Sequence, residues 1–173
     1  MSVIFLLSSL PMPKFGAPPP IGVAEFISAC ESQLAKADAQ ACTALVYGGD
    51  SAHPFVRAWR DREAVLRNAV VRARSAALGV DASRWVRTTG DCDPSLERRA
   101  TAAMRASSPA EKERQLDMAL WTAVEEMQGS DPLSKNAVFG YAVRLAIAHK
   151  WHGLSSKSGA ENFEKLTDVP IEL

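Results

Sequence analysis

Two histidines close to the end of the sequence are the residues whose type and spacing come nearest to those of a metal-binding site. His149 and His152 lie three positions apart, a spacing at which two imidazoles on one helix could share a metal ion. No Glu-x-x-His pair and no cysteine cluster accompanies them, although helical and zinc-containing metal centres are built from such groups. The sequence therefore predicts no metal site.

Nucleophilic catalysis would need a serine or cysteine with a positioned base and oxyanion donors, and the sequence shows no such arrangement. Cys30 and Cys42 fall on apolar faces of predicted helices, where cysteine acts as a small hydrophobic residue. The YGGDS segment at 47–51 lacks the spacing and the lysine of a phosphate-binding loop, so we interpret it as a turn. The sequence predicts a protein that is not an enzyme and has no cofactor or evident small-molecule substrate.

Charge is distributed unevenly along two of the predicted helices. Six arginines between 57 and 74 are accompanied only by Asp61 and Glu63, a balance of +4, whereas residues 111–131 have a balance of −4. One interpretation is that these helices complement each other or carry solvated faces, because exposed ion pairs contribute little. The other is a basic surface for an acidic partner. Its candidate residues recur every seven positions along one flank of the helix: Arg60, Arg67 and Arg74.

Arg144 is the only charged residue between Ala137 and Ala148, in a helix that is apolar nearly all round. A buried guanidinium needs an acid or several carbonyls around it, so we expect an acidic partner on a neighbouring helix. The alternative is that the arginine reaches solvent along its methylene stem. The candidate partners are Asp117, Glu125 and Glu63.

Length and composition favour one domain in a reducing compartment. The chain has 173 residues, of which 47% are hydrophobic, enough to bury a sizeable core. Lys plus Arg and Asp plus Glu number 20 each, so the net charge does not indicate nucleic acid or anionic lipid. Three scattered cysteines argue against a disulfide framework. These features predict a cytoplasmic protein.

The apolar run from Val3 to Leu10 has neither a preceding Lys or Arg nor the length of a secretion signal. It is also far shorter than the roughly 20 apolar residues that span a bilayer, and no transmembrane segment is predicted elsewhere. Its β-branched and bulky residues end at a proline-rich stretch, which favours a short buried extended segment.

Helical periodicity covers most of the remaining chain. Pro54 and Gly79 frame the longest helix, and Ser108 with Pro109 marks the start of another. The turn-rich stretch 88–94 is the candidate hinge of a predominantly all-α, two-lobed bundle with lobes 1–87 and 95–173. The predicted helices are 21–37, 39–47, 54–79, 95–106, 109–128, one within 133–154 that is apolar nearly all round from 137 to 148, and 159–167.

Several segments together resemble an uncharacterised bacterial family that is typically encoded among the subunits of V/A-type ATPases. They are FLLSSLP, PPPIGVAEF, SPAEKERQLDMALW, FGYAVRLAIAHKWHGLSSKSGAENFEKL and the helix pattern Trp59-x3-Glu63-x3-Arg67-Asn68-x3-Arg72-x-Arg74. The last segment and the helix pattern are also similar to parts of the V/A-type ATPase socket subunit, the helical protein that forms the socket of the central stalk in those motors. The present chain is much shorter than the socket subunit.

The resemblance implies a non-catalytic ATPase-associated protein, an accessory, stalk-like or assembly component peripheral to the membrane, with ATPase subunits as partners. Most of the family-pattern residues would hold the two lobes together, and Arg60, Arg67 and Arg74 would be the exposed contacts. A nucleic-acid-binding or adaptor module that uses the arginine-rich helix 57–74, and a small enzyme with an unrecognised pocket, remain alternatives. The family-pattern residues are Trp59, Glu63, Asn68, Arg72, Trp121, Tyr141, Arg144 and Trp151.

Overall fold

The computed structural model describes residues 3–90 and 92–154. Within these ranges the chain forms seven α-helices and no strand, which confirms the predicted all-α class. The helices are α1 Val3–Ser9, α2 Val23–Gln33, α3 Lys36–Tyr47, α4 Pro54–Leu78, α5 Pro94–Ala103, α6 Pro109–Gln128 and α7 Lys135–Gly153. The helix predicted at 159–167 lies outside the described residues.

The two longest helices begin and end at the capping residues from which the sequence predicts their bounds. Pro54 opens α4, and Gly79 closes it with a φ of 66°, a left-handed conformation that glycine adopts without strain. The Ser108 hydroxyl accepts a hydrogen bond from the Glu111 amide at 3.2 Å and so caps α6. Because these signals act within a few residues, they can be read directly from the sequence.

The N-terminal run is a helix, so the predicted extended segment is wrong. In α1, Leu6 is fully buried, and Val3, Leu7 and Leu10 pack against the same core. These four positions follow the i, i+3, i+4, i+7 spacing of a helix, a pattern that outweighs the β-branched composition. Seven residues are too few for a stable isolated helix, so packing against α2 and α7 must stabilise it.

Helix α7 lies at the centre of the fold. All its residues from Ala137 to Ala148 are buried except Ala146, and it packs against α1, α3 and α6. The larger core includes residues from both sides of 88–94, and a smaller core joins Val65 of α4 to Leu96 of α5 and Ala119 of α6. The division into two lobes stays a prediction. None of the helices in the described ranges is long and apolar enough to cross a bilayer.

Candidate partner-binding surface

The three arginines predicted to contact a partner lie in different environments. The guanidinium of Arg60 donates to the backbone oxygens of Gly49 at 2.7 Å and Ala44 at 3.1 Å, and pairs with Glu63 at 2.5 Å. The carbonyl of Ala44, in the last turn of α3, also accepts from the Gly48 amide at 3.0 Å, so it accepts two hydrogen bonds. Arg60 thus fastens α4 to the end of α3.

Arg67 and Arg74 are exposed, and neither forms an ion pair with any residue that the structure describes. Other arginines of α4 do have acidic partners: Arg62 pairs with Asp93 at 3.3 Å and Arg72 with Glu97 at 2.6 Å. Arg67 and Arg74 therefore lie on the solvent-facing side of α4, without an acidic partner among the described residues.

The ion pairs that acids of α6 form within the described ranges are with α5 and α7. Glu126 pairs with Arg99 of α5 at 2.8 Å, and Asp117 pairs with Lys150 of α7 at 2.7 Å. These ion pairs do not join the two oppositely charged helices, and the exposed Arg67 and Arg74 fit the solvated faces that the same interpretation allowed. This pairing leaves Arg67 and Arg74 available to another molecule.

Residues 80–90, which we call the strap, run back along α4 from its C-terminal end. The Val80 amide donates to the carbonyl of Ser75 at 3.0 Å, and the Gly90 amide donates to Asp61 at 3.1 Å. Between them, buried Asn68 donates to the Arg87 carbonyl at 2.8 Å and accepts from the Arg87 amide at 2.9 Å. These bonds hold the strap against α4.

The strap presents an exposed tryptophan that the sequence analysis did not single out. Trp85 is 52% exposed, and the Arg84 guanidinium lies 5.8 Å from its ring centroid. Leu78, at the adjoining end of α4, is 75% exposed. A tryptophan between the arginines at 84 and 87 was the signal available in the sequence, but only a fold that leaves the ring uncovered gives it meaning.

We define the basic face as six exposed residues of α4 and the strap. On α4, Arg67, Arg74 and Leu78 have i, i+7, i+11 spacing and so share one side of the helix. Asp81 is the acid of the strap, and hydrogen bonds from Ser83 lower its pKa. Arginine and tryptophan are enriched at protein interfaces, where they supply most of the binding energy. The basic face comprises Arg67, Arg74, Leu78, Arg84, Trp85 and Arg87.

Replacing Asn68 with Ala should release the strap and destabilise the protein by about 2 kcal/mol, because two buried hydrogen bonds are lost. Trypsin should then cut after Arg84 and Arg87 several times faster than in the wild type. Urea unfolding and timed proteolysis measure the two effects. Asn136→Ala, at an exposed position of α7, is the matched control. Unchanged cleavage in Asn68→Ala would show that the amide does not hold the strap.

The predicted burial of Arg144 is confirmed, since this residue is only 7% exposed. Its guanidinium donates to Gln128 at 2.9 Å and to the Gly140 carbonyl at 3.3 Å, and Glu125, one of the predicted acids, lies 3.7 Å away. Burial lowers the pKa of Arg144, and the charge of Glu125 opposes that shift. The cluster joins α7 to the end of α6.

Glycine at position 140 permits this approach of the two helices. A Cβ built on Gly140 would lie 2.5 Å from Oε1 of Gln128, the atom that accepts from Arg144. Trp121 completes the cluster: its indole donates to Glu125 at 2.9 Å, and its ring centroid lies 5.8 Å from the guanidinium. Every group of the cluster thus serves the contact between helices.

A second buried cluster centres on Asp117 of α6. Its carboxylate accepts from Lys150 at 2.7 Å and from the Trp151 indole at 2.9 Å, and Lys150 also contacts Glu113. Burial raises the pKa of Asp117, an effect that hydrogen bonds from Lys150 and Trp151 only partly offset. Burial lowers the pKa of Lys150, but its two carboxylate partners outweigh this, so the net shift is upward. The cluster fixes the last turns of α7 on α6.

The remaining family-pattern residues are also engaged within the fold. Trp59 is buried in the larger core. The Tyr141 hydroxyl donates to the Pro11 carbonyl at 3.0 Å, and its ring stacks on Phe26 with centroids 5.1 Å apart. Burial raises the pKa of Tyr141 to about 12, so it remains a neutral donor. These contacts attach α2, and the segment between α1 and α2, to α7.

The residues considered for chemistry occupy structural positions. Cys30 and Cys42 are fully buried, and their mutual hydrogen bond, together with burial, raises the pKa of Cys42 and disfavours the thiolate. His149 lies 2.9 Å from the carbonyl of Ile21. In the described part of the chain, no three metal-binding side chains lie close enough to hold an ion.

Comparison with known proteins gives one family match. A family model described as "Protein of unknown function (DUF2764)" matches residues 96–170, which include α6, α7 and nearly all of α5. No curated protein and no solved structure matches the chain. An uncharacterised family is therefore supported, while the similarity to the socket subunit of the ATPase stalk stays a prediction.

Proposed function

We propose that the protein is a non-catalytic component associated with a V/A-type ATPase and that it acts through protein–protein contacts of the basic face. The observation that carries the contact role is an exposed tryptophan and leucine among four arginines that have no ion-paired acid in the described residues. The choice of the ATPase rests on the sequence resemblance. Such a protein would be cytoplasmic and reach the membrane only through the ATPase.

The distribution of charge supports a binding role over a catalytic one. Residues 57–114 contain thirteen Lys and Arg against eight Asp and Glu, so a neutral chain carries a basic region of net charge +5. Meanwhile the two clusters with shifted pKa values, around Asp117 and Arg144, join helices to each other. A basic patch steers an acidic partner and raises its association rate.

The test is affinity capture of the tagged full chain from native cytoplasm and membranes, with mass spectrometry of the captured proteins. Wild-type protein should recover V/A-type ATPase subunits, and Arg67→Glu/Arg74→Glu should reduce recovery about tenfold, because reversal of two interface charges costs more than 1 kcal/mol. Lys36→Glu/Arg57→Glu reverses two exposed cations outside the basic face and should retain recovery.

Two results would contradict the proposal in separate ways. If the wild type captures other proteins and no ATPase subunit, and Arg67→Glu/Arg74→Glu no longer captures them, the basic face is a binding surface but its partner is not the ATPase. Equal recovery of ATPase subunits by all three proteins would keep the ATPase and reject the basic face. Arg60 is left unchanged in these variants, since its loss would loosen α3 from α4.

Nucleic-acid binding is the second candidate, and the exposed Trp85 beside Arg84 is the observation that favours it. Bases stack on exposed aromatic rings while arginines contact phosphates, and such binding weakens steeply as salt rises. Binding of a labelled single-stranded RNA that falls with salt and with Trp85→Ala would favour this function. Absence of RNA binding at low salt would reject it.

A further inference from the structure

A cavity of about 350 Å³ lies where α3, α4, α6 and α7 meet. Residues of all four helices line it, and most of them are apolar, among them Trp59 of α4, Leu120 of α6 and Ile147 of α7. Small-molecule sites in helical bundles lie between helices and combine apolar walls with a few polar groups. The volume of this cavity is within the range of such sites.

The charged side chains of the lining form two ion pairs. Arg60 pairs with Glu63, and Lys150 pairs with Asp117. Lys150 also contacts Glu113, which lies outside the lining. When all five groups are ionised, three carboxylates accompany two cations, so the region has a net charge of −1. Nε of Arg60 has no acceptor, but it is buried and therefore inaccessible to a ligand.

The two acids of the lining each have an oxygen that accepts no hydrogen bond from the described residues. Lys150 and the indole of Trp151 both donate to Oδ2 of Asp117, which leaves Oδ1. Arg60 contacts Oε2 of Glu63, which leaves Oε1. Burial raises the pKa of Asp117 although Lys150 and Trp151 oppose the shift, so this carboxylate lacks full compensation for its lost solvation.

The C-terminal end of α3 adds further acceptors. Leu45, Val46 and Tyr47, the last three residues of the helix, line the cavity. The Gly48 amide donates to the Ala44 carbonyl, and no donor among the described residues reaches the carbonyls of positions 45–47. The C-terminal end of a helix also carries a partial negative charge, which favours a cation there.

We propose that the cavity binds a small organic amine, whose ammonium group contacts the Asp117 carboxylate and the end of α3 while its apolar body packs against the apolar lining. Because the unused oxygens are acceptors, a ligand must supply donors. An ammonium group supplies three and also balances the excess of negative charge. An anionic ligand would meet the same acceptors and is disfavoured. This proposal does not rest on the proposed function.

The test is a titration of the isotope-labelled full chain with phenethylamine, followed by two-dimensional NMR. Resonances of the lining residues Trp59, Leu120 and Ala146 should shift, with a dissociation constant on the order of millimolar for a ligand of this size. Phenethyl alcohol has the same apolar body without the charge and should bind about tenfold more weakly. Hydrocinnamate, an anion with a similar body, should leave these resonances in place.

Two variants test whether the amine binds in this cavity. Asp117→Asn removes the charge but keeps an acceptor for Trp151, and it should weaken amine binding about tenfold. Ala146→Met introduces a larger side chain at a half-buried lining position and should abolish binding without removing a charge. The matched control is Glu111→Gln, which removes an exposed carboxylate of α6 outside the lining and should bind like the wild type.

Weakened binding in both cavity variants, with unchanged binding in Glu111→Gln, supports the proposal. Amine binding that persists in Ala146→Met would overturn the site, because the amine would then bind elsewhere. Equal affinities for phenethylamine and phenethyl alcohol would overturn the amine as the ligand class. Absence of shifts in the lining resonances with both phenethylamine and hexylamine would overturn the proposal as a whole.

Discussion

Replacing Arg144 with Ala should lower the free energy of unfolding by about 3 kcal/mol, which is one of the largest single-residue effects expected in this protein. The guanidinium is buried, and Gln128 and the Gly140 carbonyl would lose their donor while a cavity opens between α6 and α7. The midpoint of urea denaturation, at an unchanged denaturant slope, measures the loss.

A second substitution separates the charge of Arg144 from its volume. Its nearest partner, Gln128, is neutral, and Glu125 is half exposed, so neither would be left as a buried unpaired charge. Arg144→Met fills most of the space and should therefore cost less than half as much as Arg144→Ala. Arg98→Ala, at an exposed position on α5, is the control and should change stability by less than about 0.5 kcal/mol. Equal losses in the two Arg144 variants would show that the charge itself stabilises the fold.

Replacing Asp117 with Ala should cost about 2–3 kcal/mol, because the half-buried indole of Trp151 loses its acceptor and Lys150 keeps only Glu113. Asp117→Asn should cost about 1 kcal/mol, since the amide oxygen can still accept from Trp151. Urea unfolding at neutral pH compares the three proteins. A cost for Asp117→Asn equal to that of Asp117→Ala would mean that the negative charge, and not the acceptor, matters.

The contribution of Asp117 to the free energy of unfolding should depend on pH, and the direction follows from its pKa. Burial raises the pKa of Asp117 in the folded protein, so the folded state binds the proton more tightly than the unfolded state. The stabilisation that this tighter proton binding supplies is fully present below the pKa of an aspartate in the unfolded chain, about 3.9. It is lost as the pH rises through the higher pKa of Asp117 in the folded protein. Wild-type stability should therefore fall relative to Asp117→Asn as pH increases from about 4. The opposite trend would mean that Lys150 outweighs burial and depresses the pKa.

The apolar periodicity of helix α4 agrees with the burial of its residues in the first half of the helix but not at its end. Phe55 and Trp59 in its first half are buried, whereas Ala77, on the same side of the helix near its end, is exposed. In its second half the core side shifts to Val65 and Ala69, where α5 packs against the helix. Periodicity identifies an amphipathic helix, but the neighbours that cover it select which of its flanks is buried.

The sequence alone determined the all-α class and the ends of α4 and α6, and it favoured the burial of Arg144. These features depend on interactions within one or two helical turns or on an unbroken apolar run, both of which are local. The sequence also contained the helical spacing of α1, although the β-branched composition pointed to an extended segment.

Tertiary structure decided which charges are satisfied and which remain available. Arg60 and Arg67 occupy equivalent heptad positions, yet only Arg60 lies beside the carbonyl oxygens at the end of α3. Likewise, Asp117 meets Lys150 from 33 positions away, instead of an arginine of α4. Ion pairs and hydrogen bonds require approach within a few ångströms, and the packing of distant helices sets that approach.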